Sequence, residues 1–359
     1  MRHALALAAR GLGQVWPNPA VGCVIVQGGR VVGRGWTQPG GRPHAEAMAL
    51  AEAGAAARGA TAHVSLEPCA HHGRTPPCAD ALVAAGVARV VTPFEDPDPR
   101  VSGRGLARLR AAGVEVVTGV EVEAAARLQR GFLMRQRAGR PMVTLKLAQS
   151  LDGRIATGSG ESRWITGPEA RRMVHVLRAR HDAVLVGAGT ARADDPALTV
   201  RGLGPMPQPV RLVAARTLDL DPGCALGRSA REVPVWLLHD PAATPPERAA
   251  AWEATGAQLI PVASAASGLD PVAMLAALGA AGLTRVFCEG GGQLAAALLS
   301  AGLVDELWVF SAGCALGAEG RPGVGALSLA RLADAPRFRL AESLAVGGDL
   351  LARWEAVTG

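Results

Sequence analysis

The stretch GRPHAEAMAL, residues 41–50, sets a His and a Glu two residues apart at the head of an Ala-rich segment with helical character. On an ideal helix their side chains point about 200° apart. Such a pair reads in two ways. An acid in a first turn suits the positive end of the helix dipole and needs no other role. Alternatively, the His is part of a metal site and the Glu works beside it. The decision turns on the residues downstream, because a metal site draws distant segments together and so constrains the fold.

Residues 67–78 read EPCAHHGRTPPC. His44, Cys69 and Cys78 are three ligands of the types zinc takes at catalytic sites, where a fourth position stays open. Cys69 follows a predicted strand, whereas His44 and Cys78 precede predicted helices, so helix starts converge on one metal and their dipoles favour a bound hydroxide. Zinc lowers the pKa of its water to about 7. Glu46 is then the non-ligand carboxylate beside that water. His-x-Glu followed by Pro-Cys-x-x-Cys is the signature of zinc deaminases, in which the Glu is the general acid/base. Here eight residues separate the cysteines, not two. A closed structural zinc knuckle is the competing reading. It needs a fourth protein ligand, which His71 or His72 offers.

Around this pair the pattern alternates. VGCVIVQGGRVVGRGW (21–36) predicts two strands about a Gly-Gly turn, and a helix is expected over about 44–57. TAHVSLEPC predicts a strand, and CADALVAAGVARVVTPF and GRGLARLRAAGVEVVTG each predict a helix running into a strand. Alternating strands and helices argue for an α/β layer structure. RAGRP (137–141) is the best boundary, giving domains over 1–140 and 141–359. Beyond it, strands are expected at MVTLKLA, DAVLVG, PVRLVAA, PVWLLHD, TRVFCEG and DELWVFSA, and helices at PEARRMVHVLRAR and GQLAAALLSAG. Residues 241–283, rich in Ala and Pro, read as surface helix and loop.

In the second half, EGGGQLAAALL (289–299) is a strand end, a glycine turn and a helix start, a setting suited to a phosphate. VLVGAGTARADDP competes as a nucleotide signal. Arg192 replaces its third Gly and no acid stands about 20 residues on, so an ordinary Rossmann fingerprint is rejected.

Composition limits the function classes. The chain has 359 residues, 49% hydrophobic and 19% charged, which suits a two-domain globular protein. No apolar run reaches the ~18 residues of a membrane helix. MRHALALAARG is broken by Arg10 and lacks a cleavage site after it, so an amphipathic first helix in a cytoplasmic protein is expected. Six irregularly spaced cysteines favour metal binding or burial over disulfides. The net charge of +6 invites an RNA-binding or RNA-editing reading. Yet the densest basic run, RLQRGFLMRQRAGRP at 127–141, carries apolar residues at helical spacing, and Tyr is absent, so a stacking platform is poorly supported. Of the 37 basic residues only Lys146 is a lysine. Lys can give up its proton where Arg effectively cannot, which favours an active-site role over a strand-end surface position.

HAE…LEPCAHHGRTPPC, with PNPAVGCVIV and DPDPRVSGRGLARLRAAGVEV, closely resembles the deaminase half of the bifunctional riboflavin-biosynthesis deaminase/reductase family over about residues 3–137. LKLAQSLDGRIA, GESRWITGPEARR, VLVGAGTARADDPALTVR and CEGGGQLAAALLSAGLVDEL resemble its reductase half. The resemblance implies an α/β protein with an N-terminal cytidine-deaminase-like three-layer domain and a C-terminal dihydrofolate-reductase-like domain. It implies zinc and NADPH as cofactors, a phosphoribosylamino-pyrimidine substrate, a homo-oligomer (dimer or tetramer), and no nucleic-acid or membrane partner. Carried over, His44, Cys69 and Cys78 hold the metal, Glu46 shuttles the proton and Asn18 contacts substrate. Ala148, Trp164, Thr190, Asp194, Gly291, Gly292, Gln293 and Leu294 match dinucleotide contacts. Ser162, Arg178, Leu198, Arg201 and Glu289 match substrate contacts, and two arginines suit a sugar phosphate as bidentate forks. Lys146 is expected to stabilise or protonate the oxygen leaving C1′, with Glu289 the next candidate for proton handling. The chain departs from the family's pattern at Thr37 (often His), Asp98 (commonly Asn), Ala215–Arg216 (commonly Asp-Ser) and around Gly313–Cys314, where a Pro-Lys is usual. A deaminase with a non-reducing scaffold domain is the rival within the same class.

Overall fold

The computed structural model describes residues 1–71, 76–99, 101–265 and 268–357; His72 lies outside them. The chain divides into two compact units, Met1–Gly139 and Arg140–Gly359.

The first unit contains α1 (Arg2–Ala8), β1 (Gly22–Gln27), β2 (Arg30–Trp36), α2 (Ala45–Ala53), β3 (Thr61–Val64), α3 (Cys78–Ala84), β4 (Arg89–Val91), α4 (Arg104–Ala111), β5 (Glu115–Val117) and α5 (Val122–Ala138). Its five-stranded sheet runs β2-β1-β3-β4-β5. β1 is antiparallel to β2 and β3, and the other pairs are parallel. Gly28 and Gly29, both at positive φ, close the β1–β2 hairpin in two residues, as the right-handed twist of the strands requires.

The seat of α2 decides where the first site sits. Ala45, Ala49 and Ala53 recur every fourth residue and are buried. A Cβ on Gly33 would stand 2.1 Å from the Ala49 carbonyl oxygen, and one on Gly35 would stand 2.1 Å from that of Ala45. The helix therefore rests on bare strand backbone. α5 resolves the basic run: Ala125, Gln129, Phe132 and Leu133 are buried while Arg127 and Arg137 are exposed.

The second unit contains β6 (Met142–Ser150), β7 (Arg154–Ala156), α6 (Pro168–Ala179), β8 (Ala183–Gly187), α7 (Ala188–Asp194), β9 (Val210–Ala214), α8 (Ala225–Arg228), β10 (Val235–His239), α9 (Pro246–Ala254), β11 (Gln258–Pro261), β12 (Ser264–Ala265), β13 (Gly268–Leu269), α10 (Pro271–Ala280), β14 (Arg285–Gly290), α11 (Gly292–Ser300), β15 (Glu306–Ala312), β16 (Arg321–Pro322), β17 (Phe338–Val346) and β18 (Asp349–Ala356). Nine strands form one sheet, β11-β10-β9-β8-β14-β6-β15-β18-β17. The first seven are parallel, and the β17–β18 hairpin adds antiparallel at one edge.

Among the differences from the sequence reading in this unit, two involve the main sheet and core. Residues 241–283 are more than surface helix and loop: β11 extends the sheet, Trp252 is fully buried, and α10 buries Met274, Leu275 and Leu278. Alanine dilutes the pattern, so the few large side chains that anchor these helices stand out poorly. The β17–β18 hairpin has no counterpart among the expected strands, because an edge strand such as FRLAESLAV is largely exposed and shows little apolar alternation.

His181 gives this unit an acid-sensitive core. It is 5% exposed; its Nδ1–H donates to the Leu177 carbonyl (2.7 Å), which leaves Nε2 to accept from the Thr144 hydroxyl (2.9 Å). Burial holds its pKa down at about 3. The unfolded chain binds a proton at His181 below about 6.5 and the folded chain does not, so this contribution to stability is present above about 6.5 and drains away towards 3, at up to about 1.4 kcal/mol per pH unit. Chemical denaturation at pH about 7 and about 5 is expected to give a smaller acid loss for His181→Gln than for the parent. Equal losses would remove His181 as the source.

Candidate functional sites

His44 is the N-cap residue of α2, with Glu46 in its first turn, and Cys78 opens α3. The ligand atoms of His44, Cys69 and Cys78 all lie within 4.8 Å of one another. His44 Nδ1 is 3.3 Å from Cys78 Sγ and 3.6 Å from Cys69 Sγ, and the Cys78 backbone N–H points at Cys69 Sγ (3.3 Å). The hydrogen bond from Cys78 draws the Cys69 thiol down to about 4, and the same pairing pushes Cys78 up. One imidazole and two sulfurs, one of them readily ionised, form a donor set that fits a zinc ion. His71 stands outside this triplet. Its Nδ1 is buried with no hydrogen-bond partner among the described residues, and its side chain lines the adjoining cavity.

Glu46 is 3% exposed. Burial, and then the neighbouring Cys69, raise its pKa to about 7. It lines a cavity of about 600 Å³ together with His44, Cys69, Asn18, Thr37 and Asp98. Asn18 packs so closely that a Cβ on Gly41 would meet its Nδ2 at 1.9 Å. Thr37 is structural as well: its hydroxyl accepts from the Val21 N–H (3.0 Å) and donates to the Pro19 carbonyl (3.3 Å).

Glu67, two residues before Cys69, opens the EPCAHHGRTPPC stretch, yet sequence reasoning assigns it no role. Its buried carboxylate accepts backbone N–H groups from Asp96 (2.9 Å), Gly103 (3.0 Å), Gly105 (2.9 Å) and Leu106 (3.3 Å). It thereby caps α4 and fixes the turn carrying Asp96 and Asp98, where a local capping residue would normally serve.

The second unit holds a cavity of about 680 Å³ at the carboxyl ends of β6, β8 and β14. Lys146, Arg178 and Glu289 line it, as do Ser162, Leu198 and Arg201. Ala148, Trp164, Thr190, Asp194 and Gly291 line it too, while Gly292, Gln293 and Leu294 begin α11 beside it. Thr190 Oγ1 would stand 3.0 Å from a Cβ on Gly291, so a side chain there would crowd the turn. Bare backbone leading into a helix suits the phosphates of a dinucleotide. Asp195 and Leu198 adopt φ of 40° and 53°, a costly conformation for such residues, and the Leu198 side chain is buried in the core.

Arg178 is committed within the protein. Its Nε and Nη2 both bond Glu289, the latter at 3.0 Å, and its Nη1 donates to the Thr199 carbonyl at 2.8 Å. The fork therefore faces a protein carboxylate, whereas the sequence reading expects two such forks on a sugar phosphate. Burial pushes the Glu289 pKa up, but the Arg178 charge and hydrogen bonds, with Lys146, outweigh it and hold the carboxyl below its ordinary value. Glu289 is thus kept ionised. Burial lowers the Lys146 pKa, while Glu289 and Asp194 oppose that shift and Arg178 adds to it. Arg171 and His175 also line the cavity, and sequence reasoning misses them. Their spacing from Arg178 on α6 places all three on one helix face, a signal present in the sequence.

Known proteins resemble this chain in sequence and in fold. Residues 1–93 match the cytidine and deoxycytidylate deaminase zinc-binding region, and residues 141–352 match the RibD C-terminal domain. The riboflavin biosynthesis protein RibD of Escherichia coli K12 is 46% identical over 355 residues, covering 98% of this chain and 96% of that protein. The solved structure of Acinetobacter baumannii RibD, form 1, superposes with a TM-score of 0.89 at 38% identity, covering 99% of this chain and 98% of that one. A diaminohydroxyphosphoribosylaminopyrimidine deaminase/5-amino-6-(5-phosphoribosylamino)uracil reductase from Thermotoga maritima gives 0.86 at 33% identity, covering 99% and 97%. With both halves matched on one chain and relatives aligned along nearly all of it, the chain belongs to the RibD family of bifunctional riboflavin-biosynthesis deaminase/reductases.

Proposed function

We propose that the first site, with zinc, deaminates 2,5-diamino-6-(5-phosphoribosylamino)pyrimidin-4(3H)-one. The second site, with NADPH, reduces the ribosyl group of 5-amino-6-(5-phosphoribosylamino)uracil to a ribityl chain. The observation that carries the reading is the buried Glu46 carboxyl beside three zinc-type ligand atoms. Zinc, when bound, supplies the Lewis acidity that brings the pKa of water to about 7. Glu46 takes the proton from the attacking water and delivers it to the departing amino group, so that a C–O bond forms as C–N breaks and ammonia leaves. A carboxylate in this place accepts the proton from water and, once protonated, returns it to the leaving group, so one residue serves both transfers.

At the second site NADPH supplies the hydride for C1′. Lys146 supplies the proton to the ring oxygen that leaves C1′, and the charges of Glu289 and Asp194 favour its ammonium form. With Arg178 bound to Glu289, the sugar phosphate falls to Arg201. Partners are thus small anions. The solvated basic face of α5 accounts for the densest positive run without nucleic acid, and no described helix is long and apolar enough to cross a membrane. A cytoplasmic homo-oligomer fits this reading.

Cys69→Ser and Cys78→Ser are each expected to lose zinc and deamination together, from a parent holding about one zinc per chain. Elemental analysis showing full zinc in both variants would overturn the assignment. A coupled assay of both steps on the parent tests the pair of activities.

A further inference from the structure

Trp164 lines the second cavity yet is 69% exposed. An indole this open is normally free to rotate, and a mobile ring makes a poor binding wall. Here two guanidinium groups approach it. The Arg171 carbon lies 4.6 Å from the ring centroid and that of Arg163 lies 6.0 Å away. Each arginine is tethered elsewhere. Arg171 Nη1 donates to the Thr166 carbonyl at 2.7 Å, and Arg163 Nη2 donates to the Asp194 carbonyl at 3.0 Å. Arg171 projects from the first turn of α6, whose start is pinned by the Gly167 N–H to Asp349 Oδ2 (2.7 Å). A rigid helix therefore carries a cation that stacks on the exposed ring and also holds the turn bearing it.

We infer that Arg171 is a positioning residue for the dinucleotide: it fixes the Trp164 indole as a preformed wall of the cleft, against which a planar ring of the cofactor packs. Arg171 acts through Trp164, not on the cofactor. This rests on the proposed use of NADPH and adds the device that readies the cleft. Holding a ring in its bound orientation removes an ordering cost from binding. The effect thus falls on affinity, with little change at saturation.

The test is a double-mutant cycle read by equilibrium titration with NADPH. Arg171→Leu is expected to raise Kd roughly three- to tenfold, and Trp164→Ala at least as much. The double variant should bind no more weakly than Trp164→Ala, because the two changes remove one feature. Arg171→Lys keeps a cation for the ring and should recover part of the loss. In turnover, Arg171→Leu should raise KM for NADPH and leave kcat within about twofold, with deamination by the first unit reporting an intact chain. Additive losses, or an unchanged Kd in Arg171→Leu, would overturn the inference. A parent protein that binds no NADPH would overturn the proposed reduction as well, so the two failures are distinguishable.

Discussion

Glu46→Gln is expected to keep about one zinc per chain and to deaminate at least ~10²-fold more slowly. The amide matches the carboxyl in size and leaves His44, Cys69 and Cys78 untouched, so the metal has no reason to leave. What disappears is the proton relay. Glu46 is almost fully buried, and its pKa is raised to about 7 by burial and then by Cys69. A dication beside it draws that value down again, which keeps the resting group ready to accept a proton. Single-turnover deamination and elemental analysis on one preparation separate the outcomes. Parental turnover would reduce Glu46 to a first-turn acid serving the helix dipole. Loss of zinc along with activity would make it part of the metal's support.

Lys146→Arg should suppress NADPH oxidation with the deaminated substrate by ~10²-fold or more while leaving deamination at the parental rate. The charge survives, but a guanidinium cannot release a proton near neutrality, and its larger plane must fit where a compact ammonium lines the cavity with Glu289 and Asp194. The first site is built from residues before 137 and has no part in this. NADPH should still bind, because the turn at 290–292 offers it backbone. Reduction at the parental rate would return Lys146 to a passive strand position. Glu289 is a poor replacement, since Arg178 holds it ionised.

Local signals are the legible ones. β-branched runs interrupted by Gly-Gly mark the first hairpin, and His44, Cys69 and Cys78 announce themselves by residue type and by flanking helix starts. The sequence also contains the face of α6, though only Arg178 stands out from it. What stays hidden depends on pairing across the chain. Glu67 reaches backbone groups 29 to 39 residues away, and Arg178 meets Glu289 across 111 residues. No spacing rule links such positions. The C-terminal hairpin is hidden for another reason: on a sheet edge few side chains need to be apolar, so period-two alternation fades where burial no longer enforces it.

The way α2 is seated reaches beyond packing. Its depth is set by van der Waals radii at Gly33 and Gly35, and His44 and Glu46 inherit that depth as cap and first turn. Two residues without any functional group are thus part of the catalytic ruler of the first site. Inheritance can detune that activity there while every ligand and acid stays intact, and the reductive half, with its own sheet and core, would be left as a single-function enzyme. For a lineage carrying both steps on one gene, the smallest side chains mark where the two fates separate.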